Sequence, residues 1–402
     1  MSGATSLLDA IAGVGTDRRG GYSRHGFDRA EAELREWFTA EATARGLDVH
    51  TDRNGNLWAW WGEPGPDAVV TGSHLDSVPG GGAFDGPLGV ASALAAVDLL
   101  RAEGFTRSRP LAVAVFAEEE GGRFGVPCLG SRLLAGTLDT DTARTLRDTD
   151  GVTLAEAVRA RGVAPEHLGP DPETLGRIGC FVELHVEQGR GLVDLGRPVG
   201  LASSILAHGR WRLSFSGEGN HAGATALADR RDPMLPAASL VLAARRAAAS
   251  VPGARATVGR LVPTPGGTNV IPSTVDVWLD ARASGDGETR HVVAEITEAA
   301  REAAEAEGCT VAVREESYTG TVTFDSALRD ELAGVLGGAP ALATGAGHDA
   351  GVLAHHVPTA MLFVRNPTGV SHAPAEHAEA DDCEAGAAAL ARVLAHLAGV
   401  PC

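Results

Sequence analysis

The 402-residue chain contains no lysine; all 34 of its Lys+Arg positions are arginine. That absence excludes a lysine Schiff base and the lysine of a phosphate-binding P-loop. Cations are also outnumbered, since 52 Asp+Glu give a formal net charge of −18. Nonspecific nucleic-acid binding draws on basic patches and is not expected here. A small anionic substrate is not excluded, because one arginine can hold it locally. Cysteine is sparse: Cys128, Cys180, Cys309, Cys383 and Cys402 are scattered, odd in number and form no C-x-x-C. No disulfide framework is expected, and a reducing cytoplasm fits. The opening "MSGATSLLDAIAGVG" lacks a basic stretch leading into a long apolar run, and no uninterrupted apolar run approaches membrane-spanning length. The expectation is a soluble cytoplasmic protein with no membrane partner. No G-x-S-x-G occurs, and neither "GAGHDAG" nor "GGGAFDG" has the spacing of a dinucleotide fingerprint, so no nucleotide cofactor is expected.

What is present supports a folded protein. Hydrophobic residues make up 44% and charged residues 21%, enough for an ordinary core. The length suggests two domains, or one carrying a large insertion. Residues 27–46 are helix-periodic, with Leu34, Trp37 and Phe38 on one side. "AVVTGSHLDS" at 68–77 reads as a buried strand entering a loop, residues 86–104 as an alanine-rich helix, and "LAVAVF" at 111–116 as the next strand. This alternation predicts an α/β sheet, whose chemistry gathers at the C-terminal ends of its strands. From 210 to 316 the pattern is β-α-β-β-α-β, the ferredoxin-like plan, read as an inserted second domain. "AMLFV" at 360–364 then resumes the sheet, and 384–399 closes it with a helix. The expected division is 1–207 with 320–402 for one domain and 208–319 for the other.

Chemistry concentrates in four stretches. "GSHLDSVPGGGAFDGPLG" at 72–89 holds His74, Asp76 and Asp85 in a glycine-laden loop after a strand. Asp76, two residues on from His74, is placed to orient the imidazole as a metal ligand's partner does. "EEEGG" at 118–122 puts three repelling acids at a strand end. "ELHVEQG" adds His185, and "SHAPAEH" adds His372. Each alone reads as a polar turn or a packed core histidine. Together, three histidines at strand ends beside acids suit zinc or a similar divalent ion. A carboxylate such as Asp85 bridging two ions suits hydrolysis. One glutamate of the triplet would then be a ligand and its neighbour a general base. Residue types alone do not say which.

In order, "GSHLDSVPGGGAFDGPLGV", "EEEGGRFG", "ELHVEQG", "GNHAGAT", "TNVIPS", "GAGHDA" and "GVSHAPAEH" resemble the hydantoinase/carbamoylase branch of the binuclear zinc metallopeptidase superfamily. The resemblance covers nearly the whole chain. It implies a mixed-sheet zinc-exopeptidase-like α/β catalytic domain with an inserted ferredoxin-like dimerisation or lid domain. It assigns one metal to His74, Asp85 and His185, and the other to Asp85, Glu120 and His372. It makes Glu119 the general base and leaves Glu118 spare. By the same resemblance Gln188, His221, Asn269, Arg282 and His348 meet the substrate, Arg282 as a carboxylate clamp and His221 as an oxyanion partner, from its own or a neighbouring subunit. A homodimer follows. The "GHDAG" at 347–351 has a nucleophile-elbow outline, but the resemblance gives it a place in the active-site wall, so a covalent Asp349 is not expected. Two departures stand out: Ala226 where many relatives carry proline, and His377 where an aromatic is common.

The activity implied is metal-dependent hydrolysis of the carbamoyl (ureido) group of a small carboxylate to ammonia, carbon dioxide and an amine. Two divalent ions per chain are expected, zinc or manganese, with cobalt or nickel also suited. Allantoate is the leading substrate, with N-carbamoyl-L-amino acids or N-carbamoyl-β-alanine as alternatives. An N-acyl-amino acid deacylase or peptidase is less favoured, because many peptidase relatives carry an acid at the His185 position. A catalytically silent binding protein is disfavoured by the full set of ligands.

Overall fold

A computed structural model describes residues 3–399. Cys402 lies outside them; Cys128, Cys180, Cys309 and Cys383 are free and buried. The chain divides into two compact units. One is drawn from the residues up to Ser204 and from Thr323 onward, the other is Ile205–Val322. The edges expected at 208 and 319 lie just inside the second unit.

The first unit is built on a mixed sheet. Four strands, Leu111–Phe116, Ala68–His74, Ile178–Val186 and Thr359–Val364, lie side by side and parallel at its centre. Leu57–Trp61 and Val199–Ile205 flank them antiparallel. The central strands are buried almost throughout, as continuous apolar runs predict for parallel strands covered on both faces. Helix Pro87–Ala102 starts with proline in its first turn and is buried along nearly all its length. The closing helix Ala380–Ala398 packs against it. It begins four residues before the expected 384, with Asp381 and Asp382 in the first turn, where acids suit the helix dipole. Helix Arg29–Ala44 is capped by the Asp28 carboxylate, which accepts from Glu31 N at 2.8 Å. It buries Leu34 and Phe38, with Trp37 half-buried beside them.

The inserted unit carries a four-stranded antiparallel sheet in the order Thr310–Thr319, Ala207–Ser216, Thr274–Ala283, Arg255–Thr264. Helices Met234–Ser250 and Asp286–Ala306 complete the β-α-β-β-α-β order. Thr274–Ala283 alternates strictly, burying Val275, Val277, Leu279 and Ala281 in a core shared with both helices. Arg282 and Asp280 therefore lie on the sheet face away from the helices. A two-residue ladder, Asn220–His221 with Val270–Ile271, stands outside that sheet. The reading of the sequence did not contain it.

Candidate metal centre

The parallel strands deliver the site. His74 is the last residue of Ala68–His74, and His185 is the penultimate residue of Ile178–Val186. Glu118, Glu119 and Glu120 follow Leu111–Phe116, and His372 lies in the loop after Thr359–Val364. Asp85 sits just before helix Pro87–Ala102. The residue between them, Gly86, has φ +83, and a Cβ there would fall 2.4 Å from the His74 ring. Only glycine admits both that backbone and that approach.

The donor atoms converge on Asp85. Its Oδ1 lies 3.5 Å from His74 Nε2 and 3.2 Å from His185 Nε2. Its Oδ2 lies 3.3 Å from His372 Nε2, which is itself 3.3 Å from Glu120 Oε2. Two sets of potential ligands result, His74–Asp85–His185 and Asp85–Glu120–His372, each with its atoms within 4.8 Å of one another. The first set is fully buried, while His372 leaves the second open, its side chain 47% exposed. Ring orientation suits ligation. His74 Nδ1 meets the Asp76 carbonyl at 3.0 Å, and His185 Nδ1 meets the Val186 carbonyl at 2.9 Å. That turns both Nε2 atoms inward. These two nitrogens and Glu120 Oε1 are buried without a hydrogen-bond partner. Buried polar atoms left unpaired are costly, and a divalent ion at each set would offset that cost. The residues present therefore fit metal ions.

The electrostatics follow from crowding. Burial pulls the His74 imidazolium down, but Glu119, Asp85 and Asp76 outweigh it and hold the group well above its ordinary value. Burial acts in the opposite sense on Asp85, yet His185, His372 and His74 hold its carboxyl well below the usual range. Hydrogen bonding to Asp85 raises His372 to about 9. Burial, with Asp85 adding to it, raises Glu120 to about 7, and burial drives Glu119 well above the ordinary carboxylate range. The crowded carboxylates thus favour charged histidines, and the histidines in turn favour a charged Asp85.

The remaining expected residues divide by unit. Asp76 does not orient His74 with its carboxylate, which stands 3.7 Å from Nδ1; the backbone carbonyl does so. The carboxylate instead accepts from Glu119 N at 3.1 Å and Glu120 N at 3.0 Å, pinning the acidic triplet. Glu119 Oε2 lies 3.6 Å from His74 Nε2. Gln188 Nε2 donates to Asp85 Oδ2 at 2.8 Å and to Ser371 Oγ at 3.0 Å. His348 is buried with its ring centroid 4.5 Å from that of His185, and burial together with His185 holds it well below its ordinary value. Asp349 is buried and accepts a hydrogen bond from Ser131 Oγ. His377 turns its ring edge-on to Phe84.

In the inserted unit, His221 and Asn269 are brought together by the short ladder, with Ala222 N donating to Asn269 O at 2.9 Å. Gly223 N and Ala224 N both point at His221 Nδ1 from 3.1 Å. Two donors on Nδ1 require its lone pair, so the proton of the neutral ring sits on Nε2, which is then a donor. Arg282 is paired in two places with Asp280, at 2.7 and 3.0 Å. Ala226 has φ −61, a value proline itself imposes, so the loop path does not depend on the missing ring.

Three residues escaped the sequence reading. Glu118 is not spare: it is buried at φ +53, with Oε1 accepting from Arg123 N and Phe124 N and Oε2 from Gly26 N, all at 2.9 Å. Glu376 Oε1 accepts from Phe84 N and Asp85 N at 2.9 Å, fixing the bridging loop. Glu183 ties Ser73 Oγ to Ala350 N behind the histidines. The only signal for the last two was an acid four residues after His372 and another two before His185.

Residues 70–396 match the family model described as Peptidase family M20/M25/M40. An N-carbamoyl-L-amino acid amidohydrolase of Geobacillus stearothermophilus is 36% identical over 397 residues, spanning 97% of this chain and 97% of its own. An allantoate amidohydrolase of Bacillus subtilis is 30% identical over 401 residues, spanning 98% and 97%. Among solved structures, an amidase of the hydantoinase/carbamoylase family from Burkholderia vietnamiensis superposes with a TM-score of 0.87 at 30% identity, covering 99% of this chain and 97% of that one.

Proposed function

Because the chain belongs to the peptidase family M20/M25/M40, we propose that it is a metal-dependent amidohydrolase cleaving the ureido group of a small carboxylate, allantoate first among them. One observation carries this reading: the two oxygens of Asp85 face two different ligand sets, as a bridge between two ions requires. Zinc or manganese best suits the His and carboxylate donors, with cobalt or nickel as further possibilities. When bound, the ions supply the charge that polarises a ureido carbonyl and acidifies water.

The chain's own residues do the rest. Glu119, beside the buried set, takes the proton from the attacking water and passes it to the leaving nitrogen. His221 donates its Nε2 proton to the developing oxyanion, a role its tautomer supports. Asn269 and Arg282 hold the substrate carboxylate, with Asp280 steadying the Arg282 fork. Gln188 and His348, beside Asp85 and His185, meet the substrate. The inserted unit acts as lid and dimer contact. Leu227, Leu235 and Leu242 are 82%, 50% and 62% exposed there, and Arg255–Thr264 is an edge strand.

A second reading, N-carbamoyl-L-amino acids as substrate, draws on the 36% identity to the Geobacillus enzyme. Ammonia release by the manganese- or zinc-loaded protein, with a chelated control, tests both. Chelator-sensitive release from allantoate supports the first reading, and release from carbamoyl amino acids alone supports the second. No release from any ureido compound would sink the proposed activity.

A further inference from the structure

The glutamate assigned as general base is held twice by one residue nine positions along the chain. Cys128 N–H donates to the Glu119 carbonyl at 2.6 Å, and Cys128 Sγ lies 3.3 Å from Glu119 Oε1. Both side chains are buried, Cys128 at 7% and Glu119 at 5% exposure. Leu129 N to Glu118 O and Gly130 N to Ala117 O continue the same seam at 3.1 and 2.9 Å. At its end Cys128 takes φ +52 and ψ +38, the left-handed region that a residue with a Cβ avoids. A strained residue persists where its surroundings over-determine it, and here its side chain and its amide converge on one partner.

From these contacts we infer that Cys128 is a positioning residue for Glu119: its thiol holds Oε1 and so turns Oε2 toward His74. The inference rests on the assignment of Glu119 as the base. The choice of sulfur has a chemical logic. A base must be aimed yet stay basic. A thiol is a weak donor, so it fixes the carboxylate plane while withdrawing little of its proton affinity.

The test uses the full metal-loaded chain with Cys128→Gly and Cys128→Ser. Glycine adopts the left-handed backbone freely, so the fold is kept while the thiol is lost. In Cys128→Gly, kcat is expected to fall about fivefold, the worth of one weak hydrogen bond. KM and metal content should hold. Cys128→Ser, whose hydroxyl can donate to the same oxygen, should recover kcat. A glycine variant with unchanged kcat, or a serine variant that behaves as the glycine one, overturns the proposal. The S–H infrared stretch supplies a readout free of turnover. The band lost in Cys128→Gly should shift in Glu119→Gln, and a band that stays put refutes the contact. If the parent enzyme hydrolyses no ureido compound, the functional reading alone fails, and this band still decides whether the thiol holds the carboxylate.

Discussion

Three consecutive glutamates carry three different loads, and the difference lies in what each carboxylate touches. Glu118 accepts three backbone amides, Glu119 faces His74 and Glu120 faces His372. Adjacent substitutions should therefore separate. Glu119→Gln is expected to lower kcat by roughly 10²–10⁴-fold, the range for a lost general base, with metal content and melting temperature held. Glu118→Gln replaces an acceptor oxygen with an NH₂ group among buried N–H donors. It should cost about 1–3 kcal/mol of stability, read as a lower melting temperature. Equal loss of stability in both variants would contradict this division. Histidines and acids at strand ends were visible in the sequence because ligand types are few. The work of Glu118, Asp76 and Glu376 was not, because accepting a backbone amide needs no particular neighbour in the chain. The donors to Glu376 come from residues 84 and 85, far away in sequence.

Elements were legible where a period runs long enough to bury a face. Thr274–Ala283 alternates over ten residues, and its strand falls where the pattern puts it. Asn220–His221 and Val270–Ile271 are two residues each and carry no period, so their pairing appears only in the fold. Yet that ladder sets His221 beside Asn269, and the loop after it carries Ala226 at φ −61. Ala226→Pro should be accepted there, with a gain of about 0.4–1 kcal/mol from a stiffer unfolded chain. Its check is thermal denaturation beside turnover. A lower melting temperature would mean that Thr225 cannot take the extended backbone that a following proline demands.

At the scale of the molecule, the site links ion binding to stability. Buried ligand atoms without partners favour any ion that binds the folded chain alone. Chelation should lower the melting temperature, and an ion at 100 times its Kd should restore about 2.7 kcal/mol. The sign with pH is set by the protons that ions must displace. His372 is held near 9, above its ordinary value, so it is protonated below that pH. Apparent ion affinity should fall as pH drops from about 9 toward 6, measurable by calorimetry or by the melting shift. An affinity flat across that window would deny that His372 is a ligand. No helix among the described residues is long and apolar enough to cross a membrane.

The chain leaves the first unit along Val199–Ile205 and comes back along Val322–Thr323, and these strands are neighbours in one sheet. Phe324 N–H reaches the Ser203 carbonyl at 3.3 Å. A short flexible splice from Ser204 to Thr323 should therefore give a protein that folds and binds ions yet turns over no ureido compound. In genetic terms such a layout is a cassette: an inserted stretch whose two ends meet can be gained, lost or traded in one event, without redrawing the metal centre encoded on either side of it.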